Sequence, residues 1–279
     1  GYESFYVNDS KRRHIHKASV RDRLVHHAVY RLLYPFFDRT FIGDSYYCRL
    51  GMGTHKAINR FRRVAYRVSK NHTKTCWVLK CDIKKFFASI DHQILIDILR
   101  EYIPDKNIIG LLQNIIGSFR TSPDSAVGLP LGNLTSQLFA NIYMNIFDTW
   151  VKHRLRVETH CHASLPYIRY ADDFVFLSRD KAYLENIIPM VRDFLDTRLR
   201  LTLHPNKIFL KTIVSGVDFL GWVEFSDHRA LRNKTGQRIF ARIKENPTEN
   251  TLQSYLGMLR YGNTIGMREE FLLRYWINQ

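Results

Sequence analysis

Three aspartates carry the chemistry legible in this chain. Asp82 closes an apolar run, Trp77-Val78-Leu79-Lys80-Cys81-Asp82, and Asp172-Asp173 fall between two more, Tyr167-Ile168-Arg169-Tyr170 and Phe174-Val175-Phe176-Leu177. Phosphoryl transfer from a nucleoside triphosphate uses two divalent cations about 4 Å apart, one activating the attacking oxygen and one steadying the leaving group. Hard cations such as Mg²⁺ are held by a few well-placed carboxylate oxygens. An acid ending one strand, beside acids at the tip of an adjacent hairpin, supplies such oxygens. Without a cation, three crowded carboxylates repel and raise one another's pKa. The group therefore makes sense as a site for two Mg²⁺ ions, with Mn²⁺ able to substitute.

The elements that must position these acids follow from periodicity. Residues 20–41 read as a helix with Leu24, Val25, Ala28, Leu32 and Leu33 at helical spacing and Pro35 near its end. After a turn at Gly51-Met52-Gly53, Thr54 is placed to cap a basic helix carrying Arg60, Arg62, Arg63 and Arg67. Asp91 and Asp105 are expected caps of two further helices, and residues 133–155 form a helix apolar on most sides, hence central. The acids at 171–173 mark a hairpin tip. A helix over residues 181–200, interrupted by Pro189, precedes short strands at 208–211 and 217–225. From Asn250 a last helix puts Leu252, Tyr255, Leu256 and Leu259 on one face and closes at Gly262-Asn263. This order predicts an α+β domain with helices packed on one sheet.

Charge points to the partner. Lys and Arg number 42 against 26 Asp and Glu, a net of +16 over 279 residues. Residues 11–70 hold 15 Lys or Arg against Asp22, Asp38 and Asp44, a local net of +12. So concentrated a basic surface attracts phosphates and releases their counterions, which predicts a nucleic acid. At 45% hydrophobic and 24% charged residues the chain reads as folded, not disordered. It has no apolar stretch of the roughly 20 residues that span a bilayer. The N-terminus lacks a signal-peptide pattern and begins without Met, so a short preceding piece is expected to be missing. Cys48, Cys76, Cys81 and Cys161 form no CxxC pair, which predicts reduced thiols and a cytoplasmic setting. His160-Cys161-His162 reads as a polar loop, His26-His27 as structural, and Gly51-Met52-Gly53-Thr54 lacks the Gly-Lys-Ser/Thr ending of a P-loop.

Several segments resemble the reverse transcriptase family. Tyr170-Ala171-Asp172-Asp173 resembles the family's YxDD box, and residues 82–92, beginning Asp82-Ile83-Lys84-Lys85-Phe86-Phe87, are similar to its first catalytic motif. Gly128-Leu129-Pro130-Leu131-Gly132-Asn133-Leu134-Thr135-Ser136-Gln137 resembles the nucleotide-pocket loop and the helix after it. Leu203-His204-Pro205-Asn206-Lys207 is similar to the motif presenting a lysine, and Gly216-Val217-Asp218-Phe219-Leu220-Gly221 to the primer grip. Arg21-Asp22-Arg23 and residues 41–55 resemble fingers motifs of bacterial enzymes related to group II introns. The resemblance covers residues 10–225 in the family's order. Group II intron and retroviral enzymes usually carry Gln where this chain has Leu131. Leu131-Gly132-Asn133-Leu134-Thr135-Ser136-Gln137 resembles instead the version in diversity-generating retroelements, which copy a template RNA with errors at adenine. Losing an amide at that position would loosen geometric checking of the base pair.

The resemblance implies a role for each position. Asp82, Asp172 and Asp173 would be catalytic and hold the metal ions, with the Ile83 carbonyl as an extra ligand. Phe87 would be the steric gate against a ribose 2′-hydroxyl. Arg13, Lys17 and Arg23 would grip the triphosphate, or the template instead. Leu131 and Gly132 would line the nucleotide pocket, and Lys207 would orient or protonate the pyrophosphate. Arg49, Arg60, Arg63 and Gly221 would contact nucleic acid. The implied fold is a right-hand polymerase, with fingers over 1–75, palm over 76–225 and a connection and small helical thumb over 226–279. Its partners would be template RNA, a primer, deoxynucleoside triphosphates and a small basic accessory protein. No endonuclease or maturase domain is expected to follow. Rival readings are an ordinary-fidelity group II intron-like or defence-associated enzyme, an RNA-templated RNA polymerase, a palm-type nucleotidyl cyclase and a non-catalytic RNA-binding maturase-like protein.

Overall fold

Runs of β-branched and aromatic residues bounded by turn formers build the sheet that carries the acids. The structure is a computed structural model and describes residues 2–8, 12–122, 124–155 and 165–278. The segment His160-Cys161-His162 lies outside the described residues. Strands β1 (Tyr2–Asn8) and β2 (Arg12–Ala18) pair antiparallel and lead into helices α1 (Val20–Phe37) and α2 (Thr54–Val68). Next come β3 (Trp77–Asp82), the single turn α3 (Phe86–Ser89), α4 (His92–Tyr102), α5 (Lys106–Gly117) and the long α6 (Leu134–Arg154). The hairpin β4 (Tyr167–Tyr170) and β5 (Asp173–Ser178), helix α7 (Lys181–Leu199) and β6 (Phe209–Thr212) follow. A meander of β7 (Val217–Phe219), β8 (Trp222–Glu224) and β9 (Arg229–Leu231) precedes α8 (Asn233–Glu245), α9 (Glu249–Leu259) and α10 (Ile265–Ile277).

The central sheet is antiparallel, in the order β4-β5-β3-β6. Because side chains alternate along a strand, its two faces feed two different cores. Leu79, Cys81, Tyr167, Phe174 and Phe176 pack with α4, α6 and α7. Val78, Ile168, Val175 and Leu177 pack with α2 and the C-terminal elements. Helix α6 is buried on most sides, as its sequence predicts, and among its buried residues are Asn141 and Asp148.

Those polar residues exist for Arg169, whose side chain is fully buried. Its Nε and Nη2 donate to the two carboxylate oxygens of Asp148 at 2.8 and 2.7 Å. Nη2 also donates to Ser45 Oγ, and Nη1 to Ala171 O and Asn141 Oδ1. The Tyr167 hydroxyl adds a 2.8 Å bond to Asp148. One guanidinium thus ties the sheet to α6, to the loop before α2 and to the tip of the β4–β5 hairpin. A second buried pair, Glu224 with Arg229, does the same further along. Arg229 also donates to Ile58 O and Asn59 Oδ1 on α2 and to Tyr261 O beyond α9.

Several sequence expectations need correction. Helix α1 buries His26, Val29, Tyr34 and Phe37, while Leu24 and Leu32 are exposed. The buried face is the one whose polar tips find partners: His26 Nδ1 meets Thr135 Oγ1 at 2.7 Å, and the Tyr34 hydroxyl donates to Asp38 and accepts from Leu50 N. Thr54 does not cap α2; the cap is Gly53, at φ 114°, and Thr54 Oγ1 donates to the Tyr170 hydroxyl instead. Helix α7 runs unbroken through Pro189, which is exposed, so the carbonyl it leaves unpaired can meet water. Residues 217–225 are a hairpin turned at Leu220-Gly221, the helix expected to be the last is α9, which ends at Leu259 and is followed by α10, and the β1–β2 hairpin carries no sequence expectation.

Removing one partner of a buried ion pair strands the other charge. Asp148→Ala should therefore lower the unfolding free energy by about 3–5 kcal/mol, measured by urea denaturation. A change under about 1 kcal/mol would show the pair to be dispensable.

Candidate active site

Strand register brings the three acids to one end of the sheet. Asp82 and Asp173 are partners across β3 and β5, and Tyr170 pairs with Asp173 across the hairpin. The tip is therefore the two residues Ala171 and Asp172, one fewer than the sequence suggests. Ala171 takes a left-handed conformation (φ 56°), unusual for a residue with a Cβ. Arg169 secures it by donating to the Ala171 carbonyl at 3.1 Å. Past β3, the Ile83 amide donates to the Asp172 carbonyl at 3.2 Å, which locks the tip against the strand end.

The acids are held against ammonium groups. Lys207 Nζ lies 2.6 Å from Asp82 Oδ1, and Lys80 Nζ lies 3.2 Å from Asp173 Oδ2. Lys80 also donates to Asp218 O at 2.8 Å. Lys207 reaches Asp82 because the turn Pro205–Lys207 folds back on β3, with His204 N donating to Asp82 O. Asp173 Oδ1 is buried and receives no hydrogen bond. Burial pushes the Asp173 carboxyl up to about 6; Lys80 pulls it down, and Asp172 and Asp82 raise it further. Among the described residues, no three His, Cys, Asp or Glu side chains already form a metal cage. The donor set nevertheless fits a hard divalent cation: three carboxylates from adjacent backbone segments, one with an orphaned oxygen, offset so far by two lysines.

The remaining expected residues fall into three groups. The β1–β2 hairpin leans on the pocket loop, with His16 N donating to Leu131 O at 2.9 Å. A Cβ on Gly132, at φ 118°, would sit 3.2 Å from Ile15 Cγ2. Arg13 and Lys17 share the Ile15 face of β2 by strand alternation; both are exposed, and Lys17 Nζ lies 3.9 Å from Glu3 Oε2 across the hairpin. Arg23 is exposed on the first turns of α1. Phe87 is half-buried, its ring edge-on to Tyr47, whose own ring is edge-on to Tyr170. Leu129 N donates to Phe87 O at 2.7 Å, joining this aromatic row to the pocket loop. Gly221, at φ 90°, turns the β7–β8 hairpin.

Two arginines expected on nucleic acid are paired with acids of the loop before α2, Arg49 buried and Arg60 part-exposed. The Arg49 side chain is 7% exposed and donates to Asp38 and to the Ile42 and Ser45 carbonyls. Arg60 makes a two-pronged pair with Asp44, at 2.7 and 3.1 Å. Both brace the loop before α2 through a local acid. Arg63 is exposed on the outer face of α2. Sequence reasoning missed Arg169, Asp148 and Lys80. The signal was there: a single charge inside an otherwise apolar strand or helix is expensive to bury, so it marks a buried partner.

Comparison with known proteins agrees with this geometry. The model of the family described as "Reverse transcriptase (RNA-dependent DNA polymerase)" matches residues 7–223. The chain is 26% identical over 277 residues to the Escherichia coli protein YkfC, covering 86% of this chain and 70% of that one. It is 22% identical to the group II intron-encoded protein LtrA of Lactococcus lactis, covering 83% of this chain but only 47% of LtrA. Among solved structures, apo telomerase from Candida tropicalis superposes with a TM-score of 0.62 at 11% identity, over 90% of this chain and 52% of that one. The fold is therefore the α+β fold of the telomerase structures, and the chain spans about half the length of telomerase and of LtrA.

A carboxyl whose pKa is higher folded than unfolded destabilises the fold once it ionises. Below the ordinary value near 3.8 there is no effect; it sets in as the pH rises and is complete above about 6. In EDTA at pH 8, Asp173→Asn should raise the unfolding free energy by about 1–3 kcal/mol, and the gain should shrink toward pH 4. An Asn variant less stable than wild type at pH 8 would contradict this account.

Proposed function

The chain belongs to the reverse transcriptase family, and on that premise we propose that it copies RNA into DNA at Asp82, Asp172 and Asp173. The observation that carries the proposal is the β3–β5 register that sets Asp82 beside Asp173, with Asp172 at the tip next to them. Two Mg²⁺ ions on these carboxylates and the Ile83 carbonyl would activate the primer 3′-oxygen and neutralise charge on the phosphates. The chain's own groups do the rest. Arg13, Lys17 and Arg23 are read as the cations that receive the triphosphate beside Leu131 and Gly132. Lys207, now paired with Asp82, is the group to orient or protonate the departing pyrophosphate. The Phe87 ring closes the sugar side of the pocket and so selects deoxynucleotides.

We assign residues 1–75 to fingers, 76–225 to a palm built on the central sheet, and 226–279 to a connection and small helical thumb formed by α8, α9 and α10. Template RNA, a primer and deoxynucleoside triphosphates are the partners of this activity. The finer reading is a diversity-generating enzyme, supported by Leu131 in place of the Gln found in group II intron and retroviral enzymes. A small basic accessory protein belongs to that reading. The alternative is a group II intron-like enzyme of ordinary fidelity, and similarity to the group II intron-encoded protein LtrA supports its group II intron-like part. No described helix is long and apolar enough to cross a membrane.

Primer extension on a defined RNA tests both levels. Asp172→Asn should slow extension by roughly a hundredfold or more, the loss expected when a metal ligand goes; unchanged extension would reduce the chain to a binder. Phe87→Ala should raise ribonucleotide incorporation by about tenfold or more; a wild type that already takes ribonucleotides would overturn the substrate assignment. In the sequenced cDNA, errors gathered at template adenines support the diversity-generating reading, and a low, even spread supports the alternative.

A further inference from the structure

On the outer face of α2 the family resemblance implies a nucleic-acid contact for Arg63 alone, yet the whole face is built like a binding site. Helix α2 turns Ala57, Ile58, Phe61, Val64 and Ala65 to the core. The opposite face carries Arg62, Arg63, Tyr66 and Arg67, paired at i, i+4 so that their tips are neighbours. They line an open cavity of about 1030 Å³ between α2 and the β8–β9 turn, whose floor includes Asn71 and His72. The Tyr66 ring is 47% exposed and stands edge-on to the His72 ring at 5.2 Å. Arg62 donates to the Asp227 carbonyl at 2.8 Å, and the Asp227 carboxylate is turned to His228 Nδ1.

The cavity wall is also strained. Lys70, Asn71 and His72 are three successive residues in the left-handed region, at φ 49°, 59° and 63°. Residues other than Gly are uncommon in that region, Asn and His less so than Lys, and residues of this kind gather at ligand clamps. The bonds from Asn71 N to Tyr66 O and from Lys74 N to Ser69 O hold them there.

The cavity lies away from the acids. Thr54, bonded to Tyr170, marks the carboxylate end of α2; at 1.5 Å per residue, Arg62 and Arg67 lie roughly 12 to 20 Å further along the axis. Likewise His72 precedes the start of β3, whereas Asp82 is its end. We propose that this cavity is a second nucleic-acid site, which holds a single-stranded stretch outside the copied duplex, its phosphates on Arg62, Arg63 and Arg67 and a base on Tyr66. Arginine forks suit phosphate oxygens, and an exposed aromatic ring beside them suits an unstacked base of any sequence. A rigid duplex offers no free base face, so the occupant is single-stranded. The template RNA is the source this chain would supply, an assignment that rests on the polymerase reading; displaced DNA has the same phosphate and base chemistry.

The test uses the full chain and the surface variants Arg62→Gln/Arg67→Gln and Tyr66→Ala, checked for unchanged thermal unfolding. Affinity for an unprimed 20-nucleotide RNA, and for the same DNA sequence, is measured by fluorescence anisotropy across a salt series. Extension of a short primed RNA with a four-nucleotide overhang is measured in parallel. The arginine variant should bind the RNA about tenfold or more weakly, with a log–log salt slope shallower by about 1.4 for two lost phosphate contacts. Tyr66→Ala should weaken binding by about fivefold or more at an unchanged slope. Both should extend the short substrate at the wild-type rate. Unchanged RNA affinity and slope overturn the site, and so does a loss of short-substrate extension equal to the loss of binding. Loss of DNA binding with RNA binding intact overturns the template as occupant. A wild type that binds RNA and adds no nucleotide would sink the polymerase reading and leave this site standing.

Discussion

Everything at the carboxylate end depends on the ion pair between Arg169 and Asp148. It joins four pieces of chain distant in sequence: the loop at Ser45, helix α6, strand β4 and the turn at Ala171. Desolvating both charges opposes folding, and the many hydrogen bonds offset that cost only in one geometry. Geometric definition is the gain. The Ala171 carbonyl must point at the guanidinium, which sets the left-handed turn, and the turn in turn fixes where Asp172 starts. A phosphoryl-transfer site tolerates little misplacement of its ligands, so a rigid buried fork directly behind them is a physical requirement.

In front of that fork the balance is electrostatic. Asp173 is buried deeply enough to resist ionising, and its acidic neighbours increase the resistance. Lys80 relieves it from within the same sheet, while Lys207 offsets Asp82 from a turn that folds over the end of β3. The two lysines hold the acids in an order close to the one the chemistry needs. Neither ammonium reaches Asp173 Oδ1, so a residual demand for positive charge is built into the fold.

How far sequence foretold this varied with the kind of signal. Asp82, Asp172 and Asp173 were legible because an apolar strand ending on an acid and a two-strand hairpin with acids at its tip are short-range patterns. Helix α6 was legible because it is apolar nearly all round. The buried face of α1 was not, since the exposed set Leu24 and Leu32 and the buried set Val29 and Phe37 share one period, and only tertiary partners for His26 and Tyr34 choose between them. Arg49 and Arg60 look in sequence like Arg63; their partners Asp38 and Asp44 differ from other acids only through the path of the loop. The β1–β2 hairpin was silent because its strands are largely exposed and mix polar with apolar residues without a clean alternation.

The second buried pair has a mechanical consequence. Through Arg229, strand β9 holds the backbone of α2 on one side and of the segment after α9 on the other, and a Cβ on Gly262 would strike the Trp222 ring at 2.3 Å. Those three parts cannot swing apart without abandoning a desolvated charge. The packing of α2 against the C-terminal helices is thus fixed when the chain folds.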